Sequence, residues 1–180
     1  NDPCEDCGEK IEQLFPCFPP RFIAGDAETL SFPGKFDLIA SASVFQWIKE
    51  PEVFLHKLSG LLVPQGVLLF SSFLPGNLHE IKELTGEGLV YPTFDTLAGW
   101  LSAADFELLH SEEETIVLTF KTPLEVLRHL KATGVTATGN GRWTRGRQES
   151  LCKQYSERFS TSDDRVTLTY RPLYILAVKK

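Results

Sequence analysis

The chain holds 180 residues, 42% hydrophobic and 23% charged, with a net charge of −6, an ordinary globular balance that suits one domain around one core. No apolar run reaches the roughly 18 residues of a membrane span; the longest, Gly66 to Phe73, is short enough to be a buried strand. The polar, acidic start Asn1-Asp2-Pro3-Cys4-Glu5-Asp6 lacks the basic and apolar regions of a secretory signal, so a soluble, cytoplasmic protein is expected, with neither nucleic acid nor membrane as partner.

Pro3 to Phe15 carries Ile11, Leu14 and Phe15 among charges and predicts an amphipathic helix that Pro16 and Pro19-Pro20 stop. A short strand is expected over Arg21 to Ala24. After Pro33-Gly34, the run Phe36-Asp37-Leu38-Ile39-Ala40-Ser41 fits a buried parallel strand. Glu52 to Leu62 reads as a helix, with Pro51 near its start and Pro64-Gln65-Gly66 as a turn after it. Gly66 to Phe73 is the next strand. Strand, helix and strand joined by short turns make an α/β sheet with parallel inner strands.

The second half predicts a helix over Thr93 to Ala103, strands over Phe106 to His110 and Thr115 to Phe120, and helices over Pro123 to Lys131 and Gln148 to Phe159. Val166-Thr167-Leu168 and Leu173 to Val178 read as closing strands, with Arg171-Pro172 marking a start or a bulge. The expected organisation is a core over residues 1–120, a helical lid over 121–160 and final strands of the core sheet over 161–180. Cys4 and Cys7 form a C-x-x-C pair, but Cys17 and Cys152 stand alone with no histidine near either. Free thiols and no metal are expected.

Charge is unevenly placed. From Lys121 to Arg158 eight basic residues (Lys121, Arg128, Lys131, Arg142, Arg145, Arg147, Lys153, Arg158) face three acidic ones (Glu125, Glu149, Glu157). Such a stretch is either a solvated helical face or a docking surface for an acidic partner or anionic substrate.

Phe22-Ile23-Ala24-Gly25-Asp26-Ala27-Glu28, followed by Phe36-Asp37-Leu38-Ile39, resembles the class I methyltransferases, whose sheet is Rossmann-like and whose cofactor is S-adenosylmethionine. In that family an acid at the tip of the third strand accepts from the adenine amine. The resemblance gives that role to Asp26, with the Ala27 backbone beside the ring nitrogen; the bland alternative is a turn. Asp2 resembles the acid that grips the cofactor ribose, or else caps the following helix.

The resemblance narrows to the malonyl-acyl carrier protein methyltransferases of biotin synthesis. It rests on Ser41-Ala42-Ser43-Val44-Phe45-Gln46-Trp47, on Phe70-Ser71-Ser72-Phe73 with Gly76-Asn77-Leu78-His79-Glu80, and on Leu130-Lys131-Ala132-Thr133-Gly134-Val135-Thr136. Thr144-Arg145 with Leu151 and Tyr155, and Leu168-Thr169-Tyr170 with Tyr174, extend it. It implies methyl transfer to the free carboxylate of a malonyl group on an acyl carrier protein. Phe45 and Trp47 would wall the methyl-transfer pocket or simply pack in the core. Ser41 and Ser43 would lie near the cofactor's methionine end, and Arg142 and Arg145 would orient the carboxylate or the carrier's phosphate. No catalytic base is expected, because a carboxylate with a pKa near 4 is already ionised.

The family's glycine-rich turn after its first strand has no counterpart here, and the chain contains no methionine. The sheet is therefore expected to lack its first strands, the chain to begin inside a longer reading frame, and this piece alone to bind cofactor poorly. Two rivals stay open: another class I methyltransferase acting on a small molecule, and a catalytically inactive methyltransferase-like binding domain.

Overall fold

A computed structural model describes residues 22–135 and 144–180. Its strands are β1 (Phe36–Ser41), β2 (Leu62–Phe73), β3 (Phe106–Glu113), β4 (Ile116–Phe120), β5 (Val166–Tyr170) and β6 (Pro172–Lys179). Four of them form one sheet in the order β1-β2-β6-β3. β1 and β2 are parallel, whereas β6 runs antiparallel to both of its neighbours. β2 enters its ladder through a bulge: Phe36 pairs with Leu62 and Leu38 already with Val67. This bulge is the expected Pro64-Gln65-Gly66 turn. A Cβ at Gly66 would stand 2.8 Å from the Val63 carbonyl oxygen, so the bulge requires glycine there.

Two helices, α1 (Pro51–Leu61) and α3 (Phe94–Ala103), cover one face of this sheet. Leu55, Leu58, Leu97 and Leu101 pack onto Leu68, Phe70, Ile175 and Ala177. Fully burying each such side chain stabilises by about 1.5–3 kcal/mol. The alternation of β2 follows from this packing: Leu68 and Phe70 are buried, while Leu69, pointing the other way, is 45% exposed. Leu38 shares that second face through the registers Leu38–Val67 and Ala40–Leu69, and it is 56% exposed.

The second layer is smaller. β4 and β5 form their own antiparallel ribbon, which packs with α2 (His79–Thr85), α4 (Pro123–Ala132) and α5 (Arg145–Phe159). Their shared core is Leu78, Val126, Leu130, Tyr155, Val166 and Leu168. Thr122 caps α4 by accepting from the Glu125 N–H, with Pro123 at the first helical position, and the Glu125 carboxylate accepts from the Lys121 N–H, a close variant of a capping box. Thr144 caps α5 in the same manner, accepting from the Arg147 N–H.

Several expectations are corrected here. Residues 161–180 are not all final strands of the core sheet, because β5 pairs with β4 and only β6 joins it. No strand forms at Arg21 to Ala24 within the described residues; Ala24 makes an isolated bridge. α2 and a 3₁₀ turn over Phe45–Trp47 were not foreseen. The expected helix at Pro3 to Phe15, Asp2, Arg142 and the Cys4-x-x-Cys7 pair lie outside the described residues. Cys152 is a free thiol that burial pushes up, away from the reactive thiolate.

Candidate functional site

The carboxyl ends of β1 and β2 point the same way, and in α/β folds the loops at such ends hold ligands. A cleft of about 310 Å³ runs beside β1, lined by Ala27, Phe32, Leu38, Ser41, Phe45 and Phe54 among others. That volume lies at the small end of the range for organic ligands, about 300–1,000 Å³. Three of the sequence candidates, Ala27, Ser41 and Phe45, therefore meet on one cavity. Asp26 is adjacent through the chain, whereas Ser43 and Trp47 do not line it.

The Gly25–Leu30 turn is built tightly. Asp26 Oδ1 accepts from the Glu28 N–H at 2.9 Å, and its backbone carbonyl accepts from the N–H groups of Thr29 and Leu30. Asp26 thus makes the turn that was its alternative reading. Its Oδ2 has no partner among the described residues and is exposed. Lys57 on α1 donates to the carbonyls of Ala27, Glu28 and Leu30 at 2.8, 3.1 and 2.6 Å, while Glu28 Oε1 accepts from the N–H groups of Lys49 and Glu50. Among the described residues the Ala27 N–H has no acceptor, so an acceptor (Asp26 Oδ2) and a donor (Ala27 N–H) stand on successive residues. That pair matches the amine and ring nitrogen of an adenine edge.

After β1 the chain enters the 3₁₀ turn. Ser43, at φ 51°, donates its N–H to Ser71 Oγ at 2.9 Å, tying this loop to the end of β2. Gln46 Nε2 donates to the Ser43 carbonyl at 2.6 Å, and its Oε1 is buried without a partner. Phe45 is 4% exposed and stacks on Phe70 with ring centroids 4.2 Å apart. Its first role is core packing, with one edge on the cleft. Trp47 is 42% exposed.

In the basic stretch, Arg145 is 93% exposed and pairs with Glu149 at 3.0 Å. Lys153 pairs with Glu157 at 3.9 Å and Arg147 with Glu87 at 3.7 Å, while Arg158 bonds Glu83. The last two glutamates come from outside the basic stretch, so folding brings its excess positive charge from five to three. Among the described residues no cluster of metal-ligating side chains occurs, and no helix is long and apolar enough to cross a membrane.

Sequence reasoning missed Lys57 and Gln46. A lone cation between Phe54 and Leu58 on an otherwise apolar helix stripe was the available signal for the first. Nothing marked the second, whose orphaned oxygen depends on tertiary placement.

Residues 3–70 match a family model described as a methyltransferase domain. The chain is 50% identical to a malonyl-acyl-carrier protein O-methyltransferase of Porphyromonas gingivalis across 98% of its own length and 68% of the relative's. It is 43% identical to one of Bacteroides fragilis across 100% of its length, but spans 36% of that protein. Among solved structures, the BH2331 protein of Bacillus halodurans superposes with a TM-score of 0.68 at 18% identity, covering 99% of this chain and 80% of that one. At that identity the likeness concerns the fold, which is the class I methyltransferase fold.

Proposed function

The chain belongs to the malonyl-acyl-carrier protein O-methyltransferases, and from this membership we propose that the complete protein moves a methyl group from S-adenosylmethionine to the free carboxylate of a malonyl group on an acyl carrier protein, a step of biotin synthesis. The observation that carries it is the 50% identity running along 98% of the chain. When bound, the cofactor supplies a methyl group made electrophilic by its sulfonium. The rest falls to the protein's own groups.

Asp26 Oδ2 and the Ala27 N–H take the adenine edge, and Lys57 holds their turn rigid against α1. Ser41 lines the cleft toward the methionine end, and the Ser43 N–H bond to Ser71 fixes the loop that follows it. Phe45 closes the cleft from the core side. The nucleophile is ionised at neutral pH, so these residues need only align it and exclude water. Arg145, 93% exposed, meets the acidic carrier. Incubating the full-length protein with S-adenosylmethionine and malonyl-loaded carrier, then looking for the methyl ester by mass spectrometry, tests the reading. Methylation of a free small acid in preference to the carrier-bound malonyl group would instead support the small-molecule rival.

A further inference from the structure

The turn after β1 holds a strained residue. Ser43 carries a side chain yet sits at φ 51°, in the left-handed region that residues other than glycine and asparagine seldom enter. A residue stays in so sparsely populated a conformation only where its surroundings over-determine it, and such residues gather at functional sites. Both backbone groups of Ser43 are claimed by side chains. Its N–H donates to Ser71 Oγ on β2 at 2.9 Å, and its carbonyl accepts from Gln46 Nε2 at 2.6 Å.

The Gln46 amide has one orientation there, because the reverse would set its oxygen against the Ser43 carbonyl. That orientation leaves Oε1 buried with no donor among the described residues, a cost that folding alone gives no reason to carry. Ser43 is exposed, so water would replace either bond at its backbone with little loss of stability. The two bonds therefore set conformation more than stability. What they govern is the cleft wall: Ser41 before Ser43, and Val44 and Phe45 after it, all line the cavity beside β1. The second part is stiff by itself, since the N–H groups of Trp47 and Ile48 donate back to the carbonyls of Val44 and Phe45. Ser43 is the joint between the two parts, and its φ sets the angle at which they meet.

We propose that Gln46 is a positioning residue for the cofactor: together with Ser71 it locks Ser43 in the left-handed conformation, and so holds Ser41 and the Val44–Phe45 segment in the arrangement that S-adenosylmethionine requires. This rests on the methyl-transfer reading and adds to it a residue that acts through its neighbours.

The test uses the full-length protein, with affinity for S-adenosylmethionine measured by calorimetry beside the thermal midpoint of the unliganded form. Gln46→Leu should weaken affinity about tenfold, the size of one lost hydrogen bond, with the midpoint close to wild type. In kinetics on malonyl-carrier protein, the KM for S-adenosylmethionine should rise in step while the KM for the carrier stays. Ser43→Val, whose branched side chain opposes a positive φ, should reproduce the loss. Ser43→Asn in the Gln46→Leu background should recover most of it, because asparagine enters the left-handed region readily; a role in packing alone is not rescued in this way. Should Ser43→Val fail to fold, Gln46→Leu with and without Ser43→Asn decides. Gln46→Leu affinity within about twofold of wild type, a loss that tracks a falling midpoint, or a loss that Ser43→Asn leaves in place overturns the clamp and leaves the methyl-transfer reading standing. A wild-type protein that binds no S-adenosylmethionine overturns the functional reading, and the clamp with it.

Discussion

Asp26 uses one carboxylate oxygen for its own turn and leaves the other for a ligand, so the two roles can be separated by substitution. Asp26→Asn keeps an oxygen that accepts from the Glu28 N–H but turns an amide donor toward the place where an adenine amine would donate. Thermal stability should be nearly unchanged, while affinity for S-adenosylmethionine in the full-length protein falls about tenfold or more by calorimetry; equal affinity removes Asp26 from the site. Tyr155 offers a different residue-scale test. Its hydroxyl donates to the Thr167 carbonyl at 2.6 Å, and burial, then the Glu80 charge, push its pKa well above 10. The unfolded phenol ionises near pH 10 and the folded one does not, so its contribution is complete below pH 10 and lost as pH rises beyond it. Tyr155→Phe should lower stability by about 1 kcal/mol at neutral pH and flatten the decline in alkali, as followed by urea titration at successive pH values.

Between elements, the second layer is fastened by one buried acid. Glu80 on α2 is fully buried and accepts from the Thr169 N–H at 3.0 Å and from its hydroxyl at 2.7 Å, pinning β5 to α2. Glu80→Ala leaves both donors unsatisfied and should cost about 3 kcal/mol in denaturant unfolding; a cost below about 1 kcal/mol would show that the ribbon is held by its apolar core instead. Such a fastening is invisible in sequence, since a glutamate one residue into a seven-residue helix looks like surface. The longer elements were legible because their periodicity is set by a face: Val53 to Leu62 for α1, the continuous apolar run for β2, Thr122-Pro123 for the start of α4. β5 was assigned to the wrong sheet because alternating Val166-Thr167-Leu168 shows that a strand has one buried face but not which partner it meets. The Gly25–Leu30 turn was legible as Gly-Asp-Ala. The meeting of Tyr91 and Tyr170 around Phe73, with His129 on Tyr170, was not, because these residues are dispersed in sequence and converge only in the fold.

At the scale of the molecule, charge is arranged in two tiers. The protein carries −6, yet the Lys121–Arg158 stretch keeps an excess positive charge after its pairings with Glu83 and Glu87. Under the proposed function, such an arrangement would attract an acidic carrier to one region without general stickiness. Reversing Arg145 and Arg128 to Glu should slow methylation of malonyl-carrier protein far more than that of a small malonyl thioester. The difference should shrink as salt shortens the screening length from about 10 Å at 0.1 M to about 3 Å at 1 M. Equal slowing of both substrates would return the basic stretch to an ordinary solvated surface.

Among the described residues the sheet is covered on one side only. α1 and α3 cover the face of Leu68 and Phe70, but Leu38, Leu69 and Tyr174, on the other face of three neighbouring strands, are 56%, 45% and 40% exposed. A fluorescent dye that brightens on apolar surfaces should find that patch on the 180-residue chain. Any segment or molecule that docks there should expel the dye in proportion to the area it covers. The bare face is thus a built-in gauge of assembly, readable before any catalysis is measured.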